Sequence, residues 1–287
     1  MSTYNTDLPF FSYGIFKPGE LAYRQLRPFV DVTPVRVFVR GSLWLRDGLP
    51  LLEPNGSSTV AGYLLTFKPG REIEAYQLID STEPPQHYQW ETLTSLESLQ
   101  RANALLGRSP TRASVPFEDF EWFGRRDPVF TYAIQTVRQT AEELAAEPFE
   151  SAPPDSFDWP RFFHLQMAYL LLWSAIERYA ALAYGPNLEP MEKVRQIGAD
   201  TLFQSALRRI VGRTDRVFDS RNPDSHASLD MKRPDSSAKY YYQVRSNLSH
   251  RGKGAWKDGE LVRQSLIELL AIFTAMLGNS WETQTTP

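Results

Sequence analysis

The sequence predicts an α+β protein, in which a strand-rich N-terminal half precedes a helical C-terminal half. Up to about residue 126, short apolar or β-branched runs alternate with turns containing Pro and Gly, which is typical of a small mixed, β-barrel-like domain. From Asp127 onward the apolar residues recur at helical spacing, which predicts an all-α domain like a four-helix bundle. Because 287 residues are many for one hydrophobic core, two domains are expected.

The strands predicted in the N-terminal half come from four apolar runs. The turn signals between them include Lys-Pro-Gly at 17–19 and at 68–70, and Arg-Asp-Gly at 46–48. One helix-like segment, residues 72–79, lies directly before Asp80 and Glu83. The predicted strands cover residues 10–13, 35–45, 59–67 and 88–96.

The helices predicted in the C-terminal half begin with a capping signal. Asp127 is a typical N-cap, Pro128 suits the first helical position, and strong helix formers continue to residue 147. Three prolines within residues 148–154 then predict a linker, and the polar residues 215–235 predict a long loop. Four further helices are predicted at 160–184, 190–211, 236–251 and 258–277. The expected domains are therefore 1–126, a connecting helix and Pro-rich linker at 127–157, and a helical domain at 158–287.

Composition limits the classes of function. Without cysteine the chain has no disulfide or thiolate metal site, and its four histidines lack metal-ligand spacing, so neither metal nor cofactor is expected. A net charge of −3 argues against a generally basic nucleic-acid binder. The N-terminus lacks a signal-peptide pattern, and Glu177 and Arg178 interrupt the apolar residues 167–184. We therefore expect a cytoplasmic protein without a membrane partner.

Five motifs follow one another in the N-terminal half. Residues 13–19 read Tyr-Gly-Ile-Phe-Lys-Pro-Gly, residues 41–44 read Gly-Ser-Leu-Trp, and residues 60–64 read Val-Ala-Gly-Tyr-Leu. An Asp-x-x-Glu pair, Asp80 and Glu83, and then Tyr88 complete the series. In this order the motifs resemble the gamma-glutamylcyclotransferase-like family over roughly residues 8–107. The resemblance implies an enzyme that cyclises a γ-glutamyl amine or peptide to 5-oxoproline and releases the amine.

The resemblance also implies a role for each site residue. Glu83 would be the general base that later returns its proton to the leaving amine, and Tyr88 would orient the site. Because a carboxyl of ordinary pKa, about 4.3, is a poor base at neutral pH, partial burial would have to raise the pKa. Ile15 departs from the family, which usually has Thr or Ser there, so one possible hydrogen bond is lost. The residues expected to hold the substrate carboxylate through backbone N–H groups are Tyr13, Gly14, Ile15 and Phe16.

A second unusual segment lies late in the chain. Residues 232–257 hold seven Lys or Arg against one acidic residue, Asp235, and basic clusters suit phosphate backbones. Within it, Arg245 and His250 are five residues apart near the end of a predicted helix, and Glu177 lies in the apolar first helix of the domain. Over roughly residues 158–280 this pattern resembles the HEPN superfamily, many of whose members are metal-independent ribonucleases.

The second resemblance implies a homodimer through the helical domain, with RNA as a possible partner. His250 would transfer protons at the ribose 2′-hydroxyl, and Arg245 would stabilise the phosphate charge. Glu177 would hold His250 in its tautomer, and Asn247 would support the site beside Ser246, where nuclease members more often have Asn, Asp or His. Tyrosines 240–242 are expected to pack against the first helix rather than to stack on bases.

The sequence leaves three functions open. The protein could be a cyclotransferase whose helical half dimerises or regulates it. It could be an RNA-cleaving effector in toxicity or defence, whose front domain senses or modifies a small molecule. It could also be a non-catalytic binding scaffold.

Overall fold

A computed structural model describes residues 4–54, 56, 58–108, 114–117, 127–150, 152–153, 155–220, 222, 224–251 and 257–285, with only the backbone at 251 and 281–285. The chain forms two compact units that divide mainly between residues 126 and 127. The first unit holds mixed sheets, and the second is mainly helical. The predicted α+β class is therefore confirmed.

The N-terminal unit combines ten α-helices and strands among its described residues. They are β1 (Phe10–Ser12), α1 (Tyr23–Leu26), β2 (Val35–Arg40), β3 (Ser42–Arg46), β4 (Leu49–Glu53), β5 (Thr59–Leu65), α2 (Glu72–Thr82), β6 (Tyr88–Thr94), β7 (Arg101–Gly107) and β8 (Val115–Pro116). A five-stranded sheet has the order β2-β5-β1-β7-β6, and a three-stranded sheet has the order β4-β3-β8. Strand β1 is antiparallel to β5 and parallel to β7.

Both sheets stay open in the described residues, so the predicted barrel-like closure is wrong. The predicted strand 35–45 divides into β2 and β3 at Gly41, which has a φ of +156°. A Cβ atom at Gly41 would lie 2.6 Å from the backbone oxygen of Glu53, so the crossing there needs glycine. The break separates β3 from the larger sheet and allows it to pair with β4.

Strand β1 is the centre of the larger sheet, and its alternate residues enter two apolar layers. Phe10 packs in one layer with Tyr76 and Ile79 of α2. Phe11 and Tyr13 pack in the other layer. The chain then turns at Gly14, so Tyr13 marks the point where the central strand leaves the sheet.

The C-terminal unit is mainly helical, and a π-helical turn (Val129–Ala133) precedes its first α-helix. Its elements are α3 (Ile134–Ala145), α4 (Trp159–Tyr184), α5 (Pro190–Ala199), α6 (Thr201–Ile210), β9 (Asp215–Phe218), β10 (His226–Leu229), α7 (Pro234–Arg251) and α8 (Gly259–Thr285). The helix predicted at 190–211 breaks at Asp200, whose extended backbone ends α5 and whose carboxylate caps α6 through the Leu202 N–H at 2.8 Å. The predicted loop 215–235 contains the β9–β10 hairpin, so the unit is not all-α.

Helix α4 is the apolar centre of this unit and contacts α3, α5 and α7. The Tyr169 hydroxyl donates to the Tyr241 carbonyl at 3.0 Å, and the Trp173 and Tyr242 rings lie 5.6 Å apart. The Tyr242 ring therefore packs against the first helix of the domain as expected, whereas the hydroxyls of Tyr240 and Tyr241 bind Ser265 and Glu268 of α8.

Helix α8 is long and apolar enough over Gly259–Ser280 to cross a membrane by length and composition alone. Half of its most apolar window is buried inside the described structure, and core helices of soluble proteins pass the same test. The expected absence of a membrane partner therefore stays a prediction.

Replacing Gly62 with Ala should destabilise the N-terminal unit. A Cβ at this β5 position would lie 2.5 Å from the Phe11 ring and 2.7 Å from the Ser12 carbonyl oxygen, so the central strand would have to move. Such overpacking typically costs about 1–3 kcal/mol of unfolding free energy, which urea denaturation would measure. The matched control is Gly278→Ala in α8, where the added methyl meets no atom within 4 Å. Equal stability of the Gly62→Ala protein and wild type would contradict the packing described.

Candidate functional site

The candidate site begins at Tyr13, the buried residue that directly follows β1. Its hydroxyl donates to the carbonyl oxygen of Leu105 on β7 at 2.5 Å. The same hydroxyl accepts the N–H of Leu52 on β4 at 3.3 Å. Tyr13 therefore connects the larger sheet to the smaller one where the central strand ends.

Tyr88, the first residue of β6, is bound in a similar way. Its buried hydroxyl donates to the carbonyl oxygen of Pro50 on β4 at 2.8 Å. The Pro50 ring also lies 3.4 Å from the position that a Cβ of Gly14 would occupy. Strand β4 thus binds both tyrosine hydroxyls and borders the turn that follows Tyr13.

Glu83 reaches the same site from the end of α2. Its N–H donates to the Ile79 carbonyl at 3.0 Å, while its own backbone is extended, with φ −87° and ψ 134°. Pro84 follows directly, and the residue before a proline disfavours helix, so the sequence places the helix end here. The carboxyl group at this end is close enough to Tyr13 and Tyr88 to act on both electrostatically.

Burial dominates the electrostatics of the site. The Glu83 residue is partly exposed, but its carboxyl is desolvated, and this burial raises its pKa to about 7. Burial also raises the pKa of Tyr13 and Tyr88, and the nearby Glu83 charge raises both further. At neutral pH the site therefore holds two neutral phenols and a carboxyl near its titration midpoint.

Within the residues that the structure describes, the Glu83 carboxyl receives no compensating contact. In the described part of the chain no cation or hydrogen-bond donor binds it. The two neighbouring hydroxyl protons are already donated to the carbonyls of Leu105 and Pro50. Because the charged form lacks a partner, an ammonium group entering the site would be strongly attracted to it.

The turn after Tyr13 offers backbone donors. Its hydrogen bonds run from the Lys17 N–H to the Gly14 carbonyl at 3.2 Å and from the Glu20 N–H to the Lys17 carbonyl at 3.0 Å. The N–H groups of residues 14, 15 and 16 bind no other described residue. Successive N–H groups of this kind suit an anion such as a carboxylate. The Ile15 side chain packs against the apolar layer that contains Phe16 and has no polar atom. Only the backbone of Ile15 can therefore hydrogen-bond to a substrate.

A buried ion pair supports this turn. Lys17 and Glu20 lie 3.7 Å apart, and their side chains are 8% and 7% exposed. A pair so deeply buried fixes local geometry, because separating it would leave an uncompensated charge. The Lys-Pro-Gly signal predicted a turn here but not the pairing.

Sequence reasoning missed two polar residues near Tyr88. The Arg46 Nη2 atom lies 3.3 Å from the His87 Nδ1 atom. Burial and Glu83 raise the pKa of Tyr88, whereas the Arg46 charge opposes that rise. The Arg-Asp-Gly signal correctly marked a turn, but only the register of the β3–β4 hairpin places Arg46 beside Tyr88.

In the helical unit the structure brings Arg245 and Glu177 together. The Arg245 Nη2 atom lies 3.8 Å from a Glu177 carboxylate oxygen, which also accepts the Trp173 Nε1–H at 2.9 Å. The Arg245 guanidinium lies 6.0 Å from the centre of the Tyr242 ring. His250 is exposed, and no hydrogen bond or ion pair among the described residues joins it to Glu177 or Arg245.

Asn247 serves the fold of this unit. Its Oδ1 accepts the Ser220 N–H at 3.1 Å and the Gln243 Nε2–H at 3.0 Å, and its Nδ2 donates to the Phe218 carbonyl at 2.8 Å. The buried side chain thereby fixes the β9–β10 hairpin to α7. Residues 252–256 of the predicted basic segment lie outside the described residues.

Comparisons with known proteins assign this chain to no family. Protein-family models, curated proteins and solved structures all return no match to this chain. No group of three or more His, Asp or Glu side chains in the described ranges could hold a metal ion. The geometry thus defines an α+β protein whose N-terminal unit has a buried carboxyl near a turn, and neither this carboxyl nor the turn's N–H groups at residues 14–16 bind another described residue.

Replacing Glu83 with Gln should stabilise the protein at alkaline pH. The folded pKa, about 7, lies above the ordinary value of 4.5, so wild type loses stability as pH rises from about 4.5 through 7. The Glu83→Gln variant lacks this loss and should be more stable at pH 8 by on the order of 1–3 kcal/mol, with no difference near pH 4. Urea denaturation at a series of pH values measures both profiles.

The matched control for this measurement is Glu74→Gln, which removes an exposed carboxylate from the same helix. Its stability should follow the wild-type pH profile, because a surface pair such as Arg71–Glu74 contributes little. Parallel pH profiles for wild type and the Glu83→Gln variant would contradict the buried position of this carboxyl.

Proposed function

We propose that the N-terminal unit is a cyclotransferase of the gamma-glutamylcyclotransferase-like kind. It would convert a γ-glutamyl amine or peptide into 5-oxoproline and a free amine. One observation carries the proposal: a carboxyl of pKa about 7 lies in electrostatic range of Tyr13, where a turn begins whose N–H groups bind no other described residue. The motif order in the sequence is its second support.

Substrate binding follows from the placement of these groups. The α-carboxylate and α-ammonium of a γ-glutamyl group are attached to one carbon atom, so they need an anion site and a carboxylate close together. The N–H groups of residues 14–16 would bind the α-carboxylate. The Glu83 carboxylate would bind the α-ammonium, because no cation among the described residues already binds this carboxylate.

The reaction then needs one proton carrier. Glu83 accepts a proton from the α-ammonium, and the freed nitrogen lone pair attacks the γ-carbonyl carbon to close a five-membered ring. The tetrahedral intermediate collapses when the bond from this carbon to the leaving nitrogen breaks, and Glu83 returns the proton to that nitrogen. The re-ionised Glu83 carboxylate then accepts the second proton of the ring nitrogen, which leaves a neutral lactam, and passes it to the released amine. A pKa near 7 suits these transfers, and joining two ends of one molecule supplies further acceleration.

The two tyrosines would maintain the raised pKa of Glu83 without taking part in proton transfer. Since their protons are donated to Leu105 and Pro50, neither hydroxyl is available to protonate Glu83. As buried neighbours within electrostatic range, they would help to exclude water from the carboxyl and so maintain its raised pKa. Under this proposal the enzyme works in the cytoplasm without metal or cofactor, and the helical unit joins two copies.

Replacing Glu83 with Gln should abolish 5-oxoproline formation. Loss of the general base should lower kcat/KM by about 10²- to 10⁴-fold for a panel of γ-glutamyl amines and peptides, measured by quantifying 5-oxoproline. In the wild type, kcat/KM should fall about tenfold per pH unit below a pH of about 7, where Glu83 becomes protonated.

The control for the activity assay is the Glu74→Gln protein, which should match wild type because this carboxylate is exposed. The proposal fails if wild type yields no 5-oxoproline from any substrate in the panel. It fails equally if the Glu83→Gln protein is as active as wild type.

RNA cleavage by the helical unit, as in HEPN ribonucleases, is the second candidate function. The observation in its favour is accessibility: His250 is exposed and Arg245 half-exposed, whereas Tyr240, Tyr241 and Asn247 of the same helix are buried. On a straight helix five residues rotate a side chain by about 140°, so two copies would have to pair to form one cleft. Arg245 would then bind the phosphate, and His250 would move the proton of the 2′-hydroxyl.

Replacing His250 with Ala should abolish cleavage if this second function is correct. Wild type incubated with single-stranded RNA should give 2′,3′-cyclic phosphate ends, detected by mass spectrometry, at a rate at least about 10²-fold above the variant. His164→Ala on α4 is the matched control, since His164 is also exposed. Unchanged cleavage by the His250→Ala protein would exclude this site.

A further inference from the structure

Helix α8 carries an apolar stripe on its outward-facing side. Half of its most apolar window is buried in the described structure. On the outward-facing half, exposed or half-exposed side chains recur at helical spacing, and the single polar one among them is a threonine. This outer stripe consists of Ile267, Ala271, Thr274, Ala275 and Gly278. Because the solvent-facing side of a helix is ordinarily polar, the outer stripe indicates a surface that another apolar group covers.

Helix α3 forms one wall of a groove over the outer stripe. It runs along α8 in the opposite direction: the Phe130 ring, just before α3, lies 6.4 Å from the Phe273 ring, and the Ala145 carbonyl at the end of α3 accepts from Arg263 at 3.5 Å. Ala141 and Ala145 are the small side chains of α3 that line the groove. Because small residues on both helices leave space between them, the groove holds about 550 Å³, which is in the range of small-molecule sites.

Charged side chains line the groove from two helices. Helix α3 contributes Arg138 and Glu142, and α6 contributes Arg209. All three are exposed, and none of their charged groups binds another described residue. Arg213 fixes the end of α6 to Glu268 of α8 through two contacts of 2.7 and 3.1 Å, so Arg209 is carried by an anchored element. With two arginines and one glutamate the lining has one net positive charge, which matches a ligand with a single anionic group.

The shape of the groove favours a small ligand over a second copy of the chain. A symmetric dimer brings the same surface of both copies together, and two concave surfaces facing each other would leave both floors empty. The arginines at the walls also oppose insertion of the outer stripe into a bilayer, where charged groups are costly. A hydrocarbon chain with one carboxylate satisfies both the apolar floor and the guanidinium donors.

The length of the floor limits the length of this chain. From Ile267 to Ala275 the helix rises by about 12 Å, which an extended chain of about ten carbon atoms spans. The Thr274 hydroxyl binds no other described residue, so it can also donate to the ligand.

We propose that the groove between α3, α6 and α8 binds a medium-chain fatty acid. The carboxylate contacts Arg138 and Arg209, and the hydrocarbon chain lies on the outer stripe. The groove belongs to the helical unit and shares no residue with the proposed cyclotransferase or ribonuclease sites, so the inference is independent of both functions. Binding involves no covalent step.

The test compares decanoate with decanol and hexanoate by calorimetry on the full-length protein. Decanol keeps the chain without the negative charge, so it should bind at least about tenfold more weakly than decanoate, as expected when a charge-assisted contact is lost. Hexanoate keeps the charge on a shorter chain and should bind about 10- to 100-fold more weakly, because less apolar surface is buried.

Variants locate the binding site. Arg138→Gln and Arg209→Gln should each weaken decanoate binding by about 3- to 30-fold and leave decanol binding unchanged. Ala271→Phe places a ring on the floor and should abolish binding of both compounds. The matched control is Arg208→Gln, which removes an exposed arginine of α6 that binds Gln204 at 3.2 Å and should behave as wild type. Thermal melting without ligand identifies any variant that fails to fold.

Three outcomes would overturn the inference. It is refuted if decanoate does not bind below the concentration at which it forms micelles, or if decanol binds as tightly as decanoate. It is refuted equally if both Arg138→Gln and Arg209→Gln bind decanoate as wild type does, because the ligand then lies elsewhere. A wild-type dimer that Ala271→Phe dissociates, measured by sedimentation velocity, would mean that a second copy covers the groove instead.

Discussion

Two hydrogen bonds determine the chemistry of the candidate site: Tyr13 donates its hydroxyl proton to the Leu105 carbonyl, and Tyr88 donates to the Pro50 carbonyl. Both hydroxyls are then unable to donate to the carboxyl of Glu83, which lies within their electrostatic range. A buried carboxylate without donors or cations is costly, so its pKa rises to about 7. The site can therefore exchange a proton at neutral pH, which an ordinary surface carboxylate does poorly.

The fold produces this arrangement from distant parts of the chain. Strand β1 is the central strand of its sheet, so its end at Tyr13 lies inside the unit. Helix α2 ends before Pro84, which places Glu83 within reach of Tyr13. Strand β4 belongs to the smaller sheet, yet its residues 50–52 bind both tyrosines. Hydrogen bonds between two open sheets thus hold together groups that are about seventy residues apart in sequence.

The local features of this fold were predictable from the sequence, whereas several long-range ones were not. Turn signals and apolar runs predicted β1, β5, α2 and β6, because backbone preference and burial agree there. Strand β7 was missed because its Ala- and Leu-rich run has little β-propensity, and β4 because Pro50 is unusual in a strand. The β9–β10 hairpin is polar at half of its strand positions, and Asn247 fixes it to α7 through a contact that no local pattern encodes.

The candidate site was likewise only partly predictable from the sequence. Motif order identified Glu83, Tyr88 and the turn at residues 13–16, but not the carbonyls that bind the tyrosine protons. Arg46 could be placed beside Tyr88 only from the hairpin register. In the helical unit, spacing selected Arg245 and His250, whereas the Glu177 carboxylate contacts Arg245 and Trp173.

The central claim is that Glu83 is a buried carboxyl with a raised pKa, and its titration can be observed directly. Carbon-13 NMR of protein labelled at the glutamate side-chain carboxyls, with Glu83→Gln used to assign the signal, would follow each carboxyl through its ionisation. The account predicts that the Glu83 signal titrates with a midpoint near pH 7. A midpoint between about 4 and 5, the ordinary range for an exposed glutamate, would contradict it.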